Sequence, residues 1–147
     1  MNASISTLLE HKGSSVYSVP ATATVAAAVA EMNRRKIGCV LVMDGSRLAG
    51  VFTERDVLTR VVGAEIDPKT TSVARVMTSN LNTITREATI EEVMTIFAEK
   101  RCRHLPVVED DHLLGLISIG DISRWVADAH HAECVQLKQY IAGGYPS

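Results

Sequence analysis

The sequence predicts an α/β fold: two copies of one strand-helix-strand-strand-helix unit, packed about a pseudo-twofold axis. Three observations lead there. First, Gly50-Val51-Phe52-Thr53-Glu54-Arg55-Asp56-Val57-Leu58 returns 65 positions later as Gly115-Leu116-Ile117-Ser118-Ile119-Gly120-Asp121-Ile122-Ser123. Second, the same offset, without a gap, sets Ala23-Thr24-Val25 on Ala88-Thr89-Ile90, Val42 on Val107, Leu48 on Leu113 and Val61 on Val126. Self-similarity at a fixed period marks one supersecondary unit used twice. Third, each copy alternates amphipathic helical spacing with short apolar runs, the signatures of helices and buried strands.

The elements follow in order. Ile5, Leu8 and Leu9 predict a short leading helix closed by Lys12-Gly13, and Val16–Val19 alternates as a half-buried strand. Thr24 is the N-cap of a helix whose apolar face is Val25, Ala28, Val29 and Met32, with Arg34-Arg35-Lys36 at its end. Cys39–Met43 is a continuous apolar strand, Asp44-Gly45 a tight turn and Leu48–Phe52 the returning strand. A helix over Glu54–Val62 stops at Gly63. In the second copy Val73, Val76 and Met77 stand where the leading helix stood, and Leu81–Ile84 is the short strand. Thr89-Ile90-Glu91-Glu92 is a capping box for a helix with Ile90, Val93, Met94 and Phe97 inward. His104–Val108, the turn at Asp110-Asp111 and Leu113–Ile117 make the hairpin, and Asp121 enters the last helix. This divides the chain into a first repeat with its leading helix (1–63), a linker holding Pro68 and Lys69 (64–72), a second repeat (73–128) and a C-terminal helical tail (129–147). In the tail, Leu137, Tyr140 and Ile141 extend the apolar spacing of Ile122, Trp125, Val126 and Ala129 toward Gly143-Gly144.

Units of roughly 60 residues are marginal alone, so the two are expected to fuse into one module with two related clefts between them. The net charge of −2 argues against a broad nucleic-acid surface. Met1–Gly13 has the pattern of neither a signal peptide nor a membrane anchor, and no stretch reaches the ~18 apolar residues of a spanning helix. Three cysteines without a Cys-x-x-Cys pair read as reduced thiols of a cytoplasmic protein.

The motif in both copies is a glycine, two apolar residues, Thr or Ser, two spacers and Asp, preceded in the second by Leu-Pro-Val-Val. It resembles a tandem pair of CBS domains from about Leu8 to Val126. The resemblance implies a regulatory module, not an enzyme, that binds an adenine nucleotide (AMP first, then ATP, ADP or NAD) and signals through shape or self-association. It implies a homodimer, and a separate effector protein, since no effector domain is fused to the repeats.

Two readings of the motif stand side by side. Thr53 with Asp56, and Ser118 with Asp121, are each a capping box that ties up free backbone N–H groups. The same carboxylates, with two acceptor oxygens each, suit the paired hydroxyls of a ribose, and the N–H groups of the helix start suit a phosphate. By the resemblance, the nucleotide site draws on Thr53, Arg55 and Asp56 of the first copy and Ser118, Ile119, Gly120 and Asp121 of the second. Ile37, Gly38 and Cys39, and Cys102, Arg103, His104, Leu105 and Pro106, border the base, with Arg103 and His104 facing Arg55 as phosphate contacts. Lys100 and Arg101 are explained as complements to a helix dipole. The copies differ at Leu41/Pro106, Gly38-Cys39/Arg103-His104, Thr53/Ser118 and Arg55/Gly120, so the clefts are not expected to bind equally.

Two other classes compete. A dimerisation scaffold with vestigial sites fits the divergence of the copies. A metal- or redox-responsive protein would use Cys39, Cys102, Cys134 and the histidines. His130, Glu133 and Cys134 have helical i, i+3, i+4 spacing, but no fourth ligand is in view, and no metal site is expected. No Ser-His-Asp order, zinc signature or phosphate-cradling Gly-rich loop suggests catalysis.

Overall fold

The computed structural model describes residues 3–13 and 16–139, the side chains of 132–139 excepted. Tyr140, Ile141 and Gly143-Gly144 therefore lie outside the described residues, as do the side chains of Glu133, Cys134 and Leu137. Helix α1 (Ile5–Lys12) leads to strand β1 (Ser18–Pro20), helix α2 (Val25–Arg35) and the hairpin β2 (Cys39–Asp44) and β3 (Arg47–Thr53). A single α-turn, α3 (Glu54–Asp56), continues as a wider π-helical stretch, Val57–Val62. Helix α4 (Val73–Val76) opens the second copy, followed by α5 (Ile90–Lys100), β4 (His104–Glu109), β5 (His112–Ser118) and α6 (Ile119–Gln139).

The expected N-caps are present. Thr24 accepts from the Ala27 N–H, and Thr89 with Glu92 closes a full capping box. The hairpins match residue for residue. Cys39 pairs with Thr53 and His104 with Ser118, and each ladder slips once, at Val42/Met43 and at Val107/Val108. The turns reverse through backbone at positive φ, Gly45 in one and Asp110-Asp111 in the other. Such tight turns match the right-handed twist of the strands they join.

Two elements depart from the sequence reading, and one side chain does: Met94, expected inward, is exposed, leaving Ile90, Val93 and Phe97 as the buried face of α5. Leu81–Ile84 is not a strand: it makes one parallel bridge, Ile84 to Val107. In the first copy the Leu41 N–H donates to the Tyr17 carbonyl at 3.0 Å, which helps knit β1 to β2. Its counterpart is Pro106, which has no N–H to give. The helix after β3 is π-wound: the Gly63 N–H donates to the carbonyl of Leu58, five residues back, at 2.8 Å. The stretch leaves Leu58 67% and Val62 65% exposed while Val61 is buried.

The leading segments are exchanged between the copies. Ile5, Leu8 and Leu9 of α1 pack into the second core, with Ile90, Val93, Phe97, Leu105, Val107 and Ile117. Val73 and Val76 of α4 pack into the first, with Val25, Ala28, Met32, Val40, Val42 and Phe52. A third cluster, Cys39, Leu41 and Val51 with Leu81, Leu113 and Leu116, joins the sheets. Fully burying one such side chain is worth about 1.5–3 kcal/mol, so the exchange binds the repeats into one body. It also carries the end of each leading segment to the motif of the other copy.

Candidate functional site

A cavity of about 480 Å³ opens between the two copies. One wall is Gly38, Thr53, Glu54 and Arg55. The opposite wall is Arg101, Cys102, Arg103 and His104, and the floor is Val51 with Thr78, Asn80, Leu81 and Asn82. Thr53 arrives at the end of β3, and Arg101 leaves α5 in the left-handed conformation, φ 52°, that turns the chain into the cleft. Among the described residues the guanidiniums of Arg55, Arg101 and Arg103 make no hydrogen bond or ion pair. Three arginines and one glutamate lining a single cavity give it an excess of positive charge suited to a planar or tetrahedral anion.

Behind this wall the capping box is complete. The Asp56 N–H donates to Thr53 Oγ1 at 3.2 Å, and Asp56 Oδ2 accepts from the Thr53 N–H at 3.0 Å. Asp56 is 5% exposed and does not line the cavity. Its other neighbours are the Thr78 hydroxyl, 3.2 Å from Oδ1, and Arg60 Nε at 3.6 Å.

The second motif has the same box and different company. The Asp121 N–H donates to Ser118 Oγ at 3.1 Å, and Asp121 Oδ2 accepts from the Ser118 N–H at 2.8 Å. Lys12, at the end of α1, places Nζ 2.7 Å from Oδ2 and donates to the Leu116 carbonyl at 2.8 Å. Arg124 Nη2 holds Oδ1 at 2.6 Å. Its guanidinium also lies over Gly120, where an added Cβ would meet Nη1 at 3.4 Å.

The ionisation states follow. Burial pushes the Asp121 carboxyl up, but the bonds from Lys12 and Ser118 outweigh it and hold the group below its ordinary value. Burial lowers the His104 imidazole, with Asp121 opposing in part. Burial, with Glu54 second, raises the Cys39 thiol to about 11, and burial raises Cys102 as well. Such thiols stay protonated at neutral pH and are poor nucleophiles. Among the described residues, no group of three His, Cys, Asp or Glu side chains could hold a metal.

Of the residues singled out in the sequence, Gly38, Thr53, Arg55, Cys102, Arg103 and His104 come together on this cavity. Ser118, Ile119, Gly120 and Asp121 form the other turn, beside Lys12. Cys39, Leu105 and Pro106 are buried in strands, and Ile37 is half-buried against the first core. The sequence reading missed Glu54, Thr78, Asn80, Asn82, Arg101 and Lys12. Arg101 carried a signal in its place opposite the motif, but the dipole account absorbed it. Thr78, Asn80 and Asn82 carried none, since only the exchange of leading segments brings them here.

Both halves of the chain, residues 13–63 and 73–128, match the model of the CBS domain. The chain belongs to the CBS domain family. It is 36% identical over 127 residues to the mitochondrial CBS domain-containing protein CBSX3 of Arabidopsis thaliana, an alignment covering 83% of this chain and 62% of that one. In structure it is similar to the CBS-domain containing protein ATU1752 of Agrobacterium tumefaciens, at TM-score 0.77 and 34% identity, over 83% of this chain and 98% of the other. The CBS domain protein PAE2072 of Pyrobaculum aerophilum, complexed with AMP, shares the fold at TM-score 0.71 and 24% identity, over 81% and 89% of the two chains. The chain is thus a tandem CBS pair, spanning less than two thirds of the length of the A. thaliana relative, and proteins built on such pairs are generally regulatory. No helix of the described residues is long and apolar enough to cross a membrane.

Proposed function

We propose that this CBS pair is an adenine-nucleotide sensor whose ligand, AMP before ATP, ADP or NAD, lies in the cleft between Thr53–Arg55 and Arg101–His104. The observation that carries the reading is the set of three unpaired guanidiniums on one cavity of about 480 Å³. Arginines on opposite walls repel one another, and a phosphate between them would reverse that repulsion and draw the walls together. That closure is the conformational signal: a ligand shifts an equilibrium by its differential affinity for the two shapes. The AMP complex of the P. aerophilum protein supports only that this fold accommodates such a ligand.

The sensor reports by self-association and to an effector protein. The groove between α2 and the π-helical stretch, with Val25, Val29, Val57 and Val62 in its lining, continues into exposed Leu58. A contiguous apolar face of this kind needs a cover, and a second copy supplies one in a closed twofold dimer. Light scattering checks this: a dimer at micromolar concentration is expected, and a stable monomer contradicts it.

Calorimetric titration tests the ligand. Arg55→Ala or Arg103→Ala should weaken AMP binding by about one to two decades, the worth of a charged hydrogen bond at roughly 1.5–3 kcal/mol. Adenosine, lacking the phosphate, should bind both variants as it binds the wild type. AMP binding that ignores both changes, or fails in the wild type, overturns the reading.

A further inference from the structure

Lys12 is the charged partner that the rest of the chain brings to the second motif. Its ammonium sits on the Asp121 carboxylate at 2.7 Å and on the Leu116 carbonyl at 2.8 Å. The pseudo-twofold shows what it replaces. In the first copy the counterpart of Leu116 is Val51, whose carbonyl accepts from the Thr78 backbone N–H at 2.8 Å. The counterpart of Asp121 is Asp56, which accepts from the Thr78 hydroxyl at 3.2 Å. One ammonium therefore does in the second copy what a backbone N–H and a neutral hydroxyl do in the first. The leading segments correspond through their N-caps, Ser4 bridged to Thr89 and Ser72 bridged to Thr24, so the residue matching Lys12 in the first copy is Asn80, which carries no charge.

The ammonium is held there from behind. Ile5, Leu8 and Leu9 anchor α1 in the second core, and His11 meets the Trp125 ring edge-on at 5.5 Å between centroids. With Arg124 on Oδ1, and Lys12 and the Ser118 N–H on Oδ2, both oxygens of Asp121 are taken. A hydroxyl partner exchanges readily for a ribose hydroxyl. An ammonium paired with a buried carboxylate does not, because neutral hydroxyls cannot replace its charge.

We propose that Lys12 is an internal competitor for Asp121 that closes the second cleft to ribose. The resting chain then takes one nucleotide, in the Arg55–Arg103 cleft, and opens the second only when the end of α1 leaves Asp121. This rests on the nucleotide reading above, and the test separates the two.

AMP is titrated calorimetrically into the wild type and into Lys12→Met, which keeps the length of the side chain and removes its charge. Lys12→Gln, which keeps a donor for Leu116 without the charge, guards against a folding failure. One AMP per wild-type chain and two per variant chain, the second site at least tenfold tighter than in the wild type, supports the competitor. Two equal sites in the wild type, or one site in wild type and variants alike, overturns it while leaving the nucleotide reading intact. No AMP bound to any of the proteins overturns both.

Discussion

The first and second motifs of this chain are the same turn set in different surroundings. Each closes one capping box with near-identical hydrogen bonds, and each buries its aspartate to within a few per cent of the other, 5% and 8% exposed. The difference lies in what the rest of the chain brings to them. Asp56 is met by a threonine hydroxyl and a distant guanidinium, while Asp121 is clamped between Lys12 and Arg124. Local sequence thus sets the cap, and the exchanged leading segment sets which further partners the carboxylate has.

The sharpest break of this symmetry is expected at the paired glycines. A Cβ on Gly50 would lie 2.6 Å from Met77 Sδ and 2.8 Å from the backbone carbonyl of Thr78. A Cβ on Gly115 would meet one side-chain tip, Leu9 Cδ2, at 2.7 Å. Backbone cannot step aside as a leucine methyl can. Gly50→Val is therefore expected to cost about 3 kcal/mol and Gly115→Val about 1 kcal/mol, the upper and lower ends of overpacking penalties. Urea denaturation reads both, and equal losses would mean that the leading segments pack on the two hairpins in the same way.

A smaller effect comes from acid. Asp121 is held below its ordinary value of 3.8, so the unfolded chain takes up that proton first as pH falls. Its contribution to stability is fully present above that ordinary value and is lost as pH drops through the lowered folded one. Lys12 is partly exposed, which trims the pair to about 1 kcal/mol. Asp121→Asn should remove this part of the acid limb in a pH series of melting temperatures. An unchanged limb would mean that Lys12 does not hold the carboxylate in solution.

The architecture was legible because a repeat announces itself twice. Thr24, Thr53, Thr89 and Ser118 each cap as their spacing implies, and both hairpins turn where expected. Two local features escaped the sequence reading: Pro106 removes a donor that its counterpart Leu41 uses, and the stretch after Asp56 widens to π geometry. Half of the cavity was legible as well, since Arg55, Arg103 and His104 could be set opposite one another from the repeat alone. The rest was not. Lys12 is 109 positions from Asp121 and Thr78 is 22 from Asp56, and nothing in either segment says that it crosses to the other copy.

The account stands on the claim that the two clefts are unequal and that the first is the ligand site. Backbone amide chemical shifts followed during addition of AMP to the wild-type chain test it most directly. The expected result is movement of Gly38, Glu54, Arg55, Arg103 and His104, with Gly120, Asp121 and Lys12 unmoved at first-site saturation. Equal movement around Asp56 and Asp121, or movement confined to the Asp121 turn, would contradict it.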